Sequence, residues 1–387
     1  MMSLSEAREI LKGAKNVIDL GFGEIDFITP KNIRAAAIKA LEEGFTHYAM
    51  PVEGILELRE AIADNLYREN GIKVDPVSEV LVTEGASTAI YVVLLSLLSP
   101  KDEVIMTDPC FSVYPQGVKA AGGVPVQLQV KEERGFRIDP EDIEKSITPK
   151  TKMIVLVSPD NPTGSALERD DLEAVAEMAV KHNLLVISDE IYEKLTFGGR
   201  KHYSIASLEG MKERTITING FSKAYAMTGL RVGYVATDET LMKKISPLHV
   251  QIVTCTNAIG QKAAVEALRG PQNEMKAIWR EYEERSNMLA DGLNDMPGIT
   301  CIRPGGSIYV YPNIKSFKMT SGEFSVHIAR EANVLVYPAT VFGKGGEGYL
   351  RVVITTNRDG IYDPKASKGN IVEALERIEK AVKKLKK

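Results

Sequence analysis

TINGFSKAYAMTGLRVGY, residues 217–234, sets one lysine, Lys223, among small and apolar residues, with Arg231 eight positions further on. An ordinary surface lysine has polar neighbours. This one comes shortly after the β-branched run TITI (215–218), in a segment that otherwise reads as buried. What the cation does there depends on the fold around it.

Outward from this stretch, short apolar runs alternate with amphipathic helical ones from about residue 80. EVLVT precedes ASTAIYVVLLSLL, EVIMT precedes FSVYPQGVKAAG and MIVLVS precedes LEAVAEMAVKH; LLVIS, TITI and RVGYVA continue the set. Strands that are apolar nearly throughout, separated by helices, predict an α/β fold with a mostly parallel central sheet covered by helices on both faces. Beyond Pro271 the pattern changes to a long helical segment, NEMKAIWREYEERSNMLADGLNDM, then the runs GITCIRP, SIYVYP, VLVYP and YLRVVI, with helices near 321–332 and from about Gly369. Fewer strands with wider gaps predict a smaller α+β unit. The first thirty residues have no strand partner nearby and are expected to pack against it. The expected division is therefore a large domain at 31–270 and a small discontinuous one formed by 1–30 and 271–387. No internal repeat is present.

With 387 residues, 44% hydrophobic and 26% charged, the chain can bury a substantial interior and has the composition of a soluble globular protein. A net charge of −4 gives no electrostatic footprint for nucleic acid, and the basic cluster KKLKK at 383–387 reads as a solvated helix end. The longest apolar runs, such as AIYVVLLSLL at 89–98, are too short to span a bilayer, and the first residues lack an apolar signal core, so a cytoplasmic location is expected. Three widely spaced cysteines, Cys110, Cys255 and Cys301, argue against a disulfide framework, and the five histidines show no zinc-ligand spacing.

Ligands of open α/β sheets bind beyond the carboxyl ends of the strands. After EVLVT, the residues Gly85, Ala86 and Ser87 open a helix and could offer N–H groups to a phosphate, or simply start the helix. After MIVLVS comes PDNPTG, a tight turn that places Asn161 at the mouth of the sheet. After LLVIS comes Asp189, followed by Glu190 and Tyr192; an acid ending an apolar strand needs a cationic or protonated partner unless it merely caps a helix. Lys223 follows TITI. Desolvation favours the neutral amine, the form that attacks a carbonyl to make a Schiff base, although a lone lysine can also snorkel to the surface. One cofactor accounts for all four positions. Pyridoxal 5′-phosphate needs a lysine for its aldehyde, an acid for its ring nitrogen, and N–H donors with an arginine such as Arg231 for its phosphate.

Read in chain order, LGFGEIDF (20–27), THYAMPVEGILELREAIA (46–63), TEGASTA, DPCFSVY, SPDNPTG, SDEIY, NGFSKAYAMTGLRVGY and GEGYLRVVITT (346–356) resemble, nearly end to end, the fold type I pyridoxal-phosphate enzymes. The likeness is to the class I/II aminotransferases of the aspartate and aromatic kind. The resemblance implies a ping-pong transfer of the amino group of an L-amino acid to a 2-oxo acid, with 2-oxoglutarate the expected acceptor. It implies that Lys223 carries the cofactor and then shuttles the substrate proton, that Asp189 pairs with the ring nitrogen, and that Tyr192 and Asn161 bond the ring hydroxyl oxygen. Phe111 would stack on the ring. Gly85, Ala86, Ser87, Ser222 and Arg231 would hold the phosphate, with Tyr48 reaching in from a second subunit of a homodimer with shared sites. Arg351 would take the substrate α-carboxylate, helped by the backbone of Gly23, with Phe111 and Asn161 also facing substrate.

Two departures stand out. Ile25 replaces the proline of GEPDF, and Ser87 stands where some dicarboxylate-selective relatives carry lysine. With Phe22 and Tyr309 nearby in the expected site, neutral aromatic or aliphatic donors are favoured. Two other readings stay open: a carbon–sulfur β-lyase on the same cofactor, and a protein that binds the cofactor without catalysis. GKGGEG at 343–348 fits a dinucleotide motif by letter, but it precedes an apparent strand, so a flexible loop before Arg351 is the expectation.

Overall fold

The computed structural model describes residues 2–385; Met1 and the last two residues of the KKLKK tail, Lys386 and Lys387, lie outside the described residues. Its centre is a seven-stranded sheet. The strands lie in the order Val80–Thr83, Gly233–Ala236, Thr215–Gly220, Leu185–Asp189, Thr151–Val157, Glu103–Asp108 and Val124–Gln129. Gly233–Ala236 runs antiparallel to both its neighbours and the other pairings are parallel.

The inner strands are apolar on both faces because both are covered. Val104, Met106, Met153 and Val155 pack under the helices Ala86–Leu97 and Glu239–Val253, whereas their alternates Ile105, Ile154 and Leu156 pack under the helix Arg169–Lys181. The edge strand Val124–Gln129 is not among the runs read from sequence. Half-exposed and carrying a proline and two glutamines, it has the polar alternation of a strand with only one neighbour.

Residues nearer the two ends of the chain form smaller sheets. Ile18–Asp19 pairs in parallel with Val334–Leu335 and antiparallel with Asn357–Arg358. Leu350–Val353, which carries Arg351, lies between Tyr337–Pro338 and Tyr309–Val310. A helix at Met2–Leu11, unremarked in the sequence, packs on the helix Ser321–Ala332. The segment after Ile18–Asp19 is anchored at Asp26. Its carboxylate accepts from Arg285 Nη1 at 2.7 Å and from the Tyr282 hydroxyl at 3.3 Å, both on the helix Asn273–Asn294, and from the Ser367 hydroxyl. Arg285 and Asp26 have no exposed side-chain surface, so each neutralises a charge the interior would otherwise reject.

The glycine loop 343–348 is not the slack connection expected. Gly345 N–H donates to Asp108 Oδ1 at 3.0 Å, and a Cβ on Gly343 would collide with the same carboxylate, so the loop is docked on the end of a central strand. No helix among the described residues is long and apolar enough to cross a membrane.

A buried polar network joins the sheet to the segment before it. Glu190 accepts from Ser188, Ser204, Asn70 and the His202 ring, and Asn70 also donates to Glu193 at 2.7 Å. The ligand atoms of Glu190, Glu193 and His202 lie within 4.8 Å of one another. Burial opposes charge on His202, but the adjacent Glu190 and Glu193 carboxylates prevail and raise its pKa. Asn70, Ser188 and Ser204 supply protein donors to these carboxylates.

Candidate active site

The carboxyl ends of the parallel strands open into a cleft of about 520 Å³ between the central sheet and the strand bearing Arg351. Gly85 and Ala86 follow Val80–Thr83, Phe111 follows Glu103–Asp108, and Asn161 follows Thr151–Val157. Asp189 ends its own strand, and Ser222 and Lys223 follow Thr215–Gly220. Ala86, Ser87, Phe111, Asn161, Asp189, Tyr192, Ser222, Lys223, Arg231 and Arg351 all border this one cleft, together with Phe22, Gly23 and Tyr309. Tyr48 does not. Its side chain is 76% exposed and borders a separate surface cleft beside Cys255 and Asn257.

At the base of the cleft, Asp189 accepts from the Tyr114 hydroxyl at 2.6 Å and from Ile191 N–H at 3.1 Å. Burial raises its pKa to about 6 despite both donors. Asp160, also pushed up to about 6 by burial, accepts the N–H and hydroxyl of Thr163 and so closes the turn that presents Asn161. Tyr192 and Tyr309 share a hydrogen bond of 2.9 Å between their hydroxyls. Burial foremost, and then the neighbouring Tyr309, raise the Tyr192 pKa and keep it protonated.

Three cations face the cleft, and none is paired with a carboxylate among the described residues. Lys223 Nζ donates to the Gly23 carbonyl at 2.6 Å. Arg231, in a left-handed conformation at φ 52°, donates to the carbonyls of Thr228 and Glu84 at 2.9 and 3.2 Å. Arg351 donates to Asn161 Oδ1 at 3.1 Å and to the Gly21 carbonyl at 2.6 Å, while its Nε has no partner. Burial pulls the Arg351 pKa below the usual guanidinium value, against the tyrosines beside it. The rings of Tyr309, Tyr337 and Phe342 surround that guanidinium at 4.5, 5.2 and 4.3 Å. An unpaired buried guanidinium with a free N–H calls for an anion with two oxygens in a plane.

Backbone shape adds a second anion seat. Gly85 lies at φ +80°, and a Cβ there would come within 2.6 Å of Arg231 Nη2, so only glycine lets the first amides of the helix Ala86–Leu97 and the guanidinium converge. The residues therefore fit pyridoxal 5′-phosphate: an amine, a phosphate seat, a buried acid for a ring nitrogen, and a distinct seat for a carboxylate.

Tyr114, Tyr337 and Phe342 are absent from the residues singled out by sequence. Tyr114 sits in the amphipathic run FSVYPQG, and Tyr337 in the strand-like VLVYP, where a buried aromatic is indistinguishable from core.

Residues 15–361 match the family described as aminotransferase class I and II. The chain is 41% identical over 391 aligned residues to aromatic-amino-acid aminotransferase 2 of Thermococcus litoralis, covering 100% of this chain and 97% of that one. It is 42% identical over 380 residues to an aspartate aminotransferase of Pyrococcus abyssi, covering 98% and 95%. Among solved structures, an aromatic aminotransferase from Pyrococcus horikoshii OT3 superposes with a TM-score of 0.91 at 40% identity, covering 98% of this chain and 99% of that one.

Proposed function

This chain belongs to the class I and II aminotransferases, and from that premise we propose that it transfers the amino group of a neutral, aromatic or aliphatic L-amino acid to 2-oxoglutarate by a ping-pong mechanism. The observation that carries the donor preference is the distribution of charge in the cleft. Its three unpaired cations have assigned partners: Lys223 the aldehyde, Arg231 the phosphate and Arg351 the α-carboxylate. Ser87 and the apolar side chains of Phe22, Ile90 and Val341 offer no further cation for a donor's distal carboxylate. The acceptor is carried over from the family resemblance.

When bound, pyridoxal 5′-phosphate supplies an electrophilic carbon for amines and a protonated ring that draws electrons from the substrate Cα. Gly85, Ala86, Ser87, Ser222 and Arg231 would hold its phosphate, Phe111 would lie on the ring, and Asn161 with Tyr192 would bond the ring oxygen. Asp189, once ionised, holds the proton on the ring nitrogen. Arg351 binds the α-carboxylate through paired N–H groups and thereby orients the Cα–H bond. Lys223 Nζ would take the proton from the donor's Cα in the first half-reaction and give one to the Cα formed from the oxo acid in the second, so the two half-reactions would use the same base in opposite directions. Tyr48 completes the phosphate seat from the second subunit of a homodimer, and the molecule divides into a large domain at 31–270 and a small one from 1–30 and 271–387.

The test is the visible absorption of the purified protein, titrated separately with alanine, aspartate, glutamate, phenylalanine, tyrosine, leucine and cystathionine without any oxo acid. Loss of the cofactor's visible band with phenylalanine, tyrosine or leucine, and with glutamate as the reverse of the acceptor half-reaction, and its return on adding 2-oxoglutarate, is the expected result. A response confined to aspartate and glutamate overturns the donor preference. Pyruvate and ammonia accumulating from cystathionine with no acceptor present would replace transamination with β-elimination. In the same assay Lys223→Ala should lose turnover by about 10⁴-fold or more, since it removes both the anchoring amine and the proton carrier.

A further inference from the structure

Behind the anion seat lies an acid and base pair that plays no part in the chemistry above. Glu84 directly precedes Gly85 and is not part of the cleft wall. One carboxylate oxygen, Oε2, lies 3.2 Å from Nε2 of His249, and the other accepts the Thr256 hydroxyl at 2.7 Å. The carbonyl of the same residue accepts Arg231 Nη2 at 3.2 Å. Glu84 therefore touches both halves of the seat: its backbone leads into the Gly85–Ala86 amides and its carbonyl steadies the guanidinium.

His249 comes from the helix Glu239–Val253, remote in sequence, and its side chain has no exposed surface. Its Nδ1 has no hydrogen-bond partner among the described residues, which is unfavourable for a buried polar atom. Its other ring nitrogen, Nε2, is the one directed at Glu84, so the side chain's polar contact within this buried site is with that carboxylate. Burial raises the pKa of Glu84, but the His249 and Thr256 contacts outweigh it and hold the carboxyl below its usual range. The carboxylate is thereby fixed as an anion away from the cleft, where it cannot oppose a phosphate.

The turn also has local bonds of its own, Gly85 N–H donating to the Thr83 carbonyl at 2.8 Å and the Thr83 hydroxyl to the Gly85 carbonyl at 3.1 Å, but neither reaches the Arg231 guanidinium. Gly85 is the freest residue type, and Gly233 passes so close beneath that a Cβ there would lie 2.7 Å from the Gly85 carbonyl carbon. A glycine turn that must meet an anion in one geometry gains affinity from whatever fixes it beforehand. We propose that the Glu84–His249 pair is a positioning device for this seat, locking the Gly85–Ala86 turn and the Arg231 guanidinium in the arrangement that receives the cofactor's phosphate.

The proposal rests on the cofactor reading above, and its test reads binding instead of turnover. Dissociation constants are measured on cofactor-stripped protein for pyridoxal 5′-phosphate, for pyridoxal, which lacks the phosphate, and for inorganic phosphate as a competitor. Glu84→Ala should weaken pyridoxal 5′-phosphate and inorganic phosphate about tenfold, the worth of one charged hydrogen bond, and leave pyridoxal unchanged. Glu84→Gln keeps an acceptor for Thr256 and a polar partner for His249, and should bind within about twofold of the unsubstituted protein. Unchanged phosphate binding in Glu84→Ala overturns the proposal, as does equal weakening of all three ligands, a Glu84→Gln variant no better than Glu84→Ala, or a Glu84→Ala chain that does not fold. Unsubstituted protein that binds no pyridoxal 5′-phosphate overturns the cofactor reading and this proposal together; binding there with no selective loss in the variant overturns the proposal alone.

Discussion

Asp189 and Tyr114 set the electrostatics of the cleft floor between them. The tyrosine hydroxyl stabilises the ionised acid, and burial opposes it, leaving the carboxyl at about 6. Because that value lies above the unfolded value of about 3.9, the folded chain binds the proton more readily, and this group's contribution to ligand-free stability declines as pH rises through the interval between them. Cofactor binding has the opposite sign, since only the ionised acid holds a proton on the ring nitrogen. Affinity should therefore fall as pH drops through about 6. Tyr114→Phe removes a donor to the charged form, raises the Asp189 value further, and should move that fall upward by about one pH unit. Cofactor dissociation constants measured from pH 5 to 8 on both proteins make the comparison, in which titration of the cofactor's own phosphate is common and cancels. Coincident profiles would remove Tyr114 from the account. Asp189 and Lys223 were legible as candidates because a polar residue at or just beyond the end of an apolar strand has few structural reasons to be there, and Arg231 because the phosphate of the cofactor they imply needs an arginine. Tyr114 was not, because its hydroxyl matters only through a partner far away in the chain.

At the level of elements, the site depends on a segment with almost no regular structure of its own. Residues 20–27 reach the cleft as a strap, held at one end by the short pairing of Ile18–Asp19 and at the other by Asp26. Asp26→Ala would leave Arg285 buried without its acid, and should destabilise the fold by about 3–5 kcal/mol. Urea unfolding of the two proteins at equal m-value reads that loss directly. A shift under about 1 kcal/mol would mean that Glu281 and the Pro364 carbonyl, the guanidinium's remaining partners, suffice. The central strands were readable because they are apolar on both faces. The edge strand Val124–Gln129 and the two-residue strands Ile18–Asp19 and Asn357–Arg358 were not, since their pairing lies in long-range register and leaves no periodicity to read.

For the whole molecule, Ile38, Leu41, Tyr48 and Met50 are exposed apolar residues, and Tyr48 among them is a candidate phosphate ligand whose side chain does not line the cleft. Its assignment to a neighbouring subunit makes a sharp prediction. Tyr48→Ala and Lys223→Ala subunits, each defective alone, should regain activity when unfolded and refolded together, because half of the mixed dimers' sites would contain neither change. Recovery approaching about one quarter of the unsubstituted activity at limiting cofactor is the statistical expectation for shared sites in a twofold dimer. No recovery would place Tyr48 outside its neighbour's site.

The antiparallel strand Gly233–Ala236 has a consequence for biosynthesis. Among the described residues it is the only sheet neighbour of Val80–Thr83; that strand leads into Gly85, and Gly233–Ala236 begins just after Arg231. The anion seat is therefore assembled from chain segments that leave the ribosome far apart in time. A nascent chain halted before Arg231 has Gly85 without its guanidinium, so phosphate capture cannot template the early folding of the sheet. Closure of that late, long-range pairing comes first, and vitamin loading reports that it has happened.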